Sequence, residues 1–404
     1  MELGPIFSAM RRNKVGALVI VIQTAITLAI LCNSLFIIQQ RLRLSERPSG
    51  VVEQDVFTIA NQWVGSPPDL AARTQADLAA LRALPEVADA YVSNSYPLST
   101  GGWGEGVGLR PSEAHWMTNS ALYFADEHGL ATLGLKLVAG RNFEPAEISD
   151  RNDLESKPVT VVIVTQALAE KLFPSGEALG KAIYYSSQKE PVTIVGIVER
   201  LQEPWISLGN ITVENSTLQP YRFIESYSYY VVRAKPGQFE AAMKSAQKQL
   251  LAISRARVND KTRTMLETRV RAYRDDRALA VILGTVSFVL LIVTGFGIVG
   301  VTSFWVSQRR RQIGIRRAMG ATRTAILRYF QTENLMIAGA GALLGVLLAL
   351  ALNFLLMGKF EMGRLNVGFA FMAAAIVLVL GQIAVLWPAM RAASISPVVA
   401  IRNA

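Results

Sequence analysis

Val15–Gln40 reads VGALVIVIQTAITLAILCNSLFIIQQ, a run without a single Asp, Glu, Lys or Arg. An α-helix rises 1.5 Å per residue, so about 20 apolar residues cross the roughly 30 Å of bilayer hydrocarbon. This run is longer than that. Three others share the property: Ala278–Gln308, Asn334–Gly358 and Leu365–Met390. A core helix of a soluble protein is seldom so long without a charge. The reading is four transmembrane helices in a 1+3 layout, with a large extracytoplasmic mixed α/β domain after the first. The expected division is 1–14 as a cytoplasmic interfacial helix, 15–40 as the first span and 41–277 as the outer domain with its stalk. Then follow 278–308 as the second span, 309–333 as a cytoplasmic loop, 334–358 as the third span, 359–364 as a short outer loop, 365–390 as the fourth span and 391–404 as a cytoplasmic tail.

The net charge of +10 superficially suits nucleic acid, but its distribution does not. Residues 41–277 hold 27 Lys/Arg against 28 Asp/Glu. Residues 1–14, 309–333 and 391–404 carry +2, +6 and +2, which is the whole excess. Four crossings put those three segments on one side. Cytoplasmic segments are the ones enriched in Lys and Arg, so both termini are expected in the cytoplasm and 41–277 on the far side. A nucleic-acid partner is not expected. Cys32 is the only cysteine, so no intrachain disulfide forms. Arg11, Arg12 and Lys14 before an apolar run resemble a signal peptide. The run exceeds a signal's apolar core, and Leu31 before Cys32 is too large for lipoprotein cleavage, so a retained anchor is expected.

Leu3, Ile6, Phe7 and Met10 share one face of the first segment. An interfacial helix and a plain positive flank both fit. Residues 41–47 are expected to prolong the first span until Pro48-Ser49-Gly50 ends it. Beyond them, strands are expected over Val51–Ile59, Val87–Val92, Val159–Thr165, Val192–Val198 and Tyr227–Arg233, and helices over Pro68–Leu84 and Gln238–Ile253. The Gly-rich Ser99–Gly108 reads as a loop. Residues 262–277 read as a polar helical stalk running into the second span.

Catalytic and ligand-binding patterns are poor. A phosphate loop needs Gly-x4-Gly-Lys-Ser/Thr. The nearest approach, Gly176 to Ala182, is one residue short and ends without a hydroxyl. His115 and His128 lie thirteen apart with no Cys nearby, unlike the tight spacing of a zinc site. No carboxylate falls in an expected span, which argues against ion coupling. No catalytic, cofactor or metal residue is assigned. The exception to this blandness is Arg309–Arg323, RRRQIGIRRAMGATR. Topology accounts for the arginines but not for the Ile-Gly-Ile and Ala-Met-Gly-Ala pieces among them. A compact docking element fits: Ile313, Gly314, Ile315, Arg316, Arg317, Ala318, Met319, Gly320 and Ala321. Aspartates at 313 and 315 are expected to abolish docking.

Gln308–Asn353, QRRRQIGIRRAMGATRTAILRYFQTENLMIAGAGALLGVLLALALN, resembles the signature segment of FtsX-like ABC transporter permeases in their MacB branch. Pro388–Arg402 resembles that family's closing motif, and Leu172–Val198, with its Leu-Phe-Pro-x-Gly turn, resembles the MacB-type periplasmic core domain. Gln312 stands where the family carries an acidic residue, and Val398, Val399 and Arg402 stand where its tail is acidic. The resemblance implies a non-catalytic permease subunit of the bacterial inner membrane. Relatives pair two permeases, each on one ABC ATPase. MacB itself carries its ATPase on the same polypeptide, but here 14 residues precede the first span. A separate ATPase chain, in two copies and holding ATP and magnesium, is therefore expected, with no cofactor on this chain. The segment 313–321 becomes the coupling helix seated in the ATPase, and a second permease chain, identical or not, completes the assembly. Such relatives turn ATP-driven motion into mechanical work on the outer domain. The implied load is an exported small molecule or peptide, with a periplasmic adaptor and an outer-membrane channel as further partners. Lipoprotein extraction and signalling to a cell-wall hydrolase stand as alternatives.

Overall fold

A computed structural model describes residues 14–65, 67–111, 116–152, 157–205, 213–360 and 363–394. The chain separates into two compact units, one of residues 45–274 and one of 1–44 with 275–404. Helix α1 (Lys14–Ser45) comes first and carries the apolar run into the polar Arg41–Ser45.

The α/β unit begins with β1 (Val56–Trp63), α2 (Leu70–Arg82) and β2 (Val87–Ser93). A long insertion then builds a second lobe: β3 (Trp103–Gly108), β4 (Thr118–Phe124), α3 (Gly129–Leu133), β5 (Leu137–Gly140), β6 (Ser149–Arg151), β7 (Val161–Thr165), α4 (Gln166–Leu172), β8 (Ala182–Tyr185), β9 (Val192–Val198), β10 (Ser216–Gln219) and β11 (Tyr221–Phe223). The chain returns to finish the first lobe with β12 (Tyr227–Ala234), α5 (Phe239–Ile253) and β13 (Arg257–Thr264). That lobe is an antiparallel sheet ordered β13-β1-β12-β2. Its β-α-β-β-α-β course is the split arrangement of ferredoxin-like domains. Side chains alternate across a strand, so β1 sends Phe57 and Ile59 against α2 and α5, and Val56 toward the second lobe.

In the second lobe the order is β5-β9-β7-β10-β4-β3-β8, and β8 returns to β9 through Ile183↔Val192. Six strands therefore close on themselves, which leaves fewer free edges to template aggregation. Val107, Leu122, Val162, Val164, Ile183 and Ile194 fill the core.

Two expectations fail here, each for a visible reason. Ser99–Gly108 is not all loop, because Trp103–Gly108 is β3. Its glycines make room for indoles: a Cβ at Gly106 would lie 2.4 Å from Trp116, and one at Gly104 3.0 Å from Trp205. The stalk is not helical from 262, because Thr262 and Thr264 belong to β13. Helix α6 (Met265–Ala272) starts with a capping box, in which the Thr264 hydroxyl accepts from the Glu267 N–H and the Glu267 carboxylate accepts from the Thr264 N–H. Arg269 of α6 then clamps the incoming linker, donating to the carbonyls of Ser45 and Arg47 at 2.9 Å and to Glu53.

In the helical unit, α7 (Arg274–Gln308), α8 (Arg310–Ala318), α9 (Arg323–Phe360) and α10 (Val367–Ala393) complete the fold. Helices α1, α7, α9 and α10 are long and apolar enough to cross a membrane. Helix α1 packs on α9 at Gly341 and Gly345, where a Cβ would lie 2.8 Å from Thr24 and 2.9 Å from Leu28. Against α7 it is held by polar contacts: Gln23 donates to the Val293 carbonyl at 3.0 Å, Thr27 meets Thr294 at 2.7 Å, and Arg41 pairs with Asp276. The face expected at Leu3–Met10 and the tail beyond Ser394 lie outside the described residues.

Candidate coupling site

The sequence Arg309–Arg323 folds as one short helix between two long ones. Arg309, with φ −97° and ψ 13°, separates α7 from α8. At the other end the Gly320 N–H donates to the Arg317 carbonyl and the Ala321 N–H to the Arg316 carbonyl, at 3.1 and 3.0 Å. This is a Schellman cap, which needs a left-handed residue after the helix. Gly320 supplies it, at φ +101°. Thr322 then accepts from the Ala325 N–H, capping α9. The Ala-Met-Gly-Ala piece is thus a stop-and-restart signal, readable as such.

One face of α8 is bound to its own bundle. Ile313 is 5% exposed and packs with Val306, Ile326, Phe330 and Ala393, and Gly314 is buried beside it. Arg317, half-buried, donates to the Ala393 carbonyl at 2.8 Å, at the end of α10. Arg316 stacks over Tyr329 at 5.1 Å. Arg309 makes two 2.9 Å hydrogen bonds to the carboxylate of Glu333, which is 1% exposed on α9. Nearly buried charges need such pairing, since an isolated one is costly. Arg309 and Glu333 are 24 residues apart, and nothing in their local sequence announces the pair.

Among the described residues nothing covers the opposite face. Arg311, Gln312, Ile315, Ala318, Met319 and Gly320 are exposed, Ile315 by 43% and Met319 by 75%. Ala321 is half-buried. The structure therefore splits the expected docking set: Ile313 and Gly314 face the protein's own core, while Ile315 and Met319 form an apolar point within a basic rim. Two positions along a helix are about 200° apart around its axis, so Ile313 and Ile315 cannot share a face.

The other candidates sit in the α/β unit. His128 hydrogen-bonds Asp89, with Nδ1 3.0 Å from Oδ2. His115 lies outside the described residues. Among the described residues no three His, Cys, Asp or Glu gather as a metal site. The Gly176–Ala182 segment is the connection from α4 to β8. Burial dominates the titration of Asp126, which is pushed above the usual carboxylate range although Arg82 opposes the shift.

Two family models match. That of the FtsX-like permease C-terminal region covers residues 284–397, and that of the MacB-like periplasmic core domain covers 18–252. The chain belongs to the FtsX-like ABC transporter permeases, in the MacB branch. The permease is similar to the macrolide export ATP-binding/permease protein MacB of Chromobacterium violaceum, 28% identical over 281 residues, which are 66% of this chain and 41% of that one. It is also similar to the pyoverdine export ATP-binding/permease protein PvdT of Pseudomonas aeruginosa, 28% identical over 261 residues, 62% of this chain and 38% of that one. The permease thus aligns with about two-fifths of these relatives' length. The periplasmic region of MacB from Actinobacillus actinomycetemcomitans overlaps 55% of this chain and 94% of that one at 15% identity, with a TM-score of 0.35, too low to bear on function.

Proposed function

We propose that this permease sits in the bacterial inner membrane and couples ATP hydrolysis by a partner ATPase to mechanical motion of its periplasmic domain, driving export of a small molecule or peptide. One observation carries the reading: α8 is tied by one face to the cytoplasmic ends of α9 and α10 and bares Ile315 and Met319 on the other. A partner gripping the bare face would move α9 and α10 with it. ATP and magnesium belong to the ATPase in this reading. Two ATPase copies serve a pair of permease chains, identical or not, with an adaptor and an outer-membrane channel beyond. Export is favoured over lipoprotein extraction or signalling because the named function of both relatives is export.

The test is co-purification with the ATPase. Ile315→Asp with Met319→Asp is expected to lose the ATPase while inserting and melting like the wild type. Ile313→Asp is expected instead to lower the melting temperature. Full ATPase recovery by the first variant would overturn the docking role.

A further inference from the structure

Strands β6 and β11 form a two-stranded ribbon apart from the other sheets, in the register Tyr221↔Ser149 and Phe223↔Arg151. Side chains alternate across such a ribbon. One face pairs Arg222 with Asp150 at 2.9 Å. The other turns Tyr221, Phe223 and Arg151 toward Trp103 and Phe124. The rings meet edge to face or tilted: Trp103–Phe124 at 5.3 Å, Phe124–Tyr221 at 5.4 Å, Phe124–Phe223 at 5.7 Å and Trp103–Phe223 at 5.9 Å. The Arg151 guanidinium lies among them, 4.7 Å from Phe124, 5.0 Å from Tyr221 and 5.1 Å from Trp103. Ring faces attract cations within about 6 Å of their centres, and several rings around one cation are how proteins recognise organic cations.

We propose that Trp103, Phe124, Tyr221 and Phe223 form a binding cage for a small organic cation, and that Arg151 is its built-in occupant. Three of the rings are fixed, because Phe124, Tyr221 and Phe223 are buried in the lobe's core. Trp103 is 37% exposed and leaves the cage open to solvent on its side. The plug is lightly held. Strand β6 has three residues and, among the described residues, pairs with β11 alone, so its backbone is held along one edge. The bonds from the Ser149 N–H to the Pro220 carbonyl and from the Ile224 N–H to the Arg151 carbonyl secure its ends. A three-residue strand paired along one edge belongs to the segments that open locally before the core does. A tethered guanidinium competes at high effective concentration, so a free cation binds the intact chain weakly and binds better once the plug is removed. The site is independent of what the transporter moves.

The test uses the full chain in detergent and methylguanidinium as probe, with neutral methylurea as control. Calorimetry is expected to show Arg151→Ala binding methylguanidinium at least about tenfold more tightly than the wild type. Methylurea should not bind, and Arg151→Ala with Trp103→Ala should lose the gain. Equal affinity of wild type and Arg151→Ala, or a gain that survives loss of Trp103, would overturn the proposal. Hydrogen exchange on the wild type serves where Arg151→Ala does not fold. Methylguanidinium, but not methylurea, should speed exchange of the Ile224 amide as β6 lifts, and an unchanged rate refutes the plug.

Discussion

Asp77 and Arg257 are the most deeply buried ion pair described, both side chains being 0% exposed and joined at 2.6 and 2.9 Å. Tyr230 donates to the same carboxylate at 2.6 Å, and Trp63 covers the guanidinium at 4.0 Å. Such a pair gains little over an apolar isostere, yet breaking it strands a charge, at about 3–5 kcal/mol. Asp77→Ala should therefore lower the melting temperature sharply, and adding Arg257→Met should restore much of the loss. A double variant no better than the single would show that the pair is not the cause. Glu53 supplies a pH-dependent counterpart. Burial alone would raise its carboxyl pKa, but the Arg269 guanidinium and the Ser49 hydroxyl together outweigh burial and hold it below the usual range. The folded carboxyl thus binds its proton less readily than the unfolded one, and its stabilisation is full at neutral pH and fades as pH falls through the carboxylate range. Glu53→Gln should melt below the wild type at pH 7, with the gap closing on acidification. A gap constant with pH would show that the clamp does not depend on charge.

At the scale of elements, Gly339, Gly341 and Gly345 look alike in sequence but not in place. A Cβ at Gly341 or Gly345 would press into α1, whereas Gly339 has nothing within 4 Å. Small residues let membrane helices approach closely. Gly341→Leu and Gly345→Leu should each separate α1 from α9, seen as lost crosslinking between those helices and lower recovery of folded protein. Gly339→Leu should be silent; equal damage at all three would point to a lipid-facing cause instead. The same contrast explains what was legible. Long uncharged runs and the β-branched runs of β7 and β9 announce themselves, because bilayer hydrocarbon and the packed interior of a sheet each select such residues. Strand β13 was not visible, because RVNDKTRT pairs, among the described residues, with β1 alone at a sheet edge, where polar side chains are tolerated. Strand β3 was hidden by glycines that serve two distant tryptophans. In α8 the proposed docking set stood out by composition, but its division into inner and outer faces needed the helix bounds, and the Arg309–Glu333 pair needed the fold.

At the scale of the whole molecule, the claim to test is sidedness, because coupling requires α8 and the α/β unit on opposite sides of one bilayer. The charge-balanced α/β unit and the arginines around α8 satisfy the bias that sets orientation. The chain provides its own labelling background: its one thiol, Cys32, is 0% exposed. A membrane-impermeant maleimide should therefore barely label the wild type. Ser186→Cys lies on an exposed residue after β8, and Thr324→Cys on an exposed residue at the start of α9. In spheroplasts the Ser186→Cys protein should label at once, and the Thr324→Cys protein only after the membrane is permeabilised. The reverse order would put the arginine-rich loop outside the cell, away from any ATP, and the docking proposal would fail with it. Equal labelling of both would put the two positions on one side and refute an odd number of crossings between them.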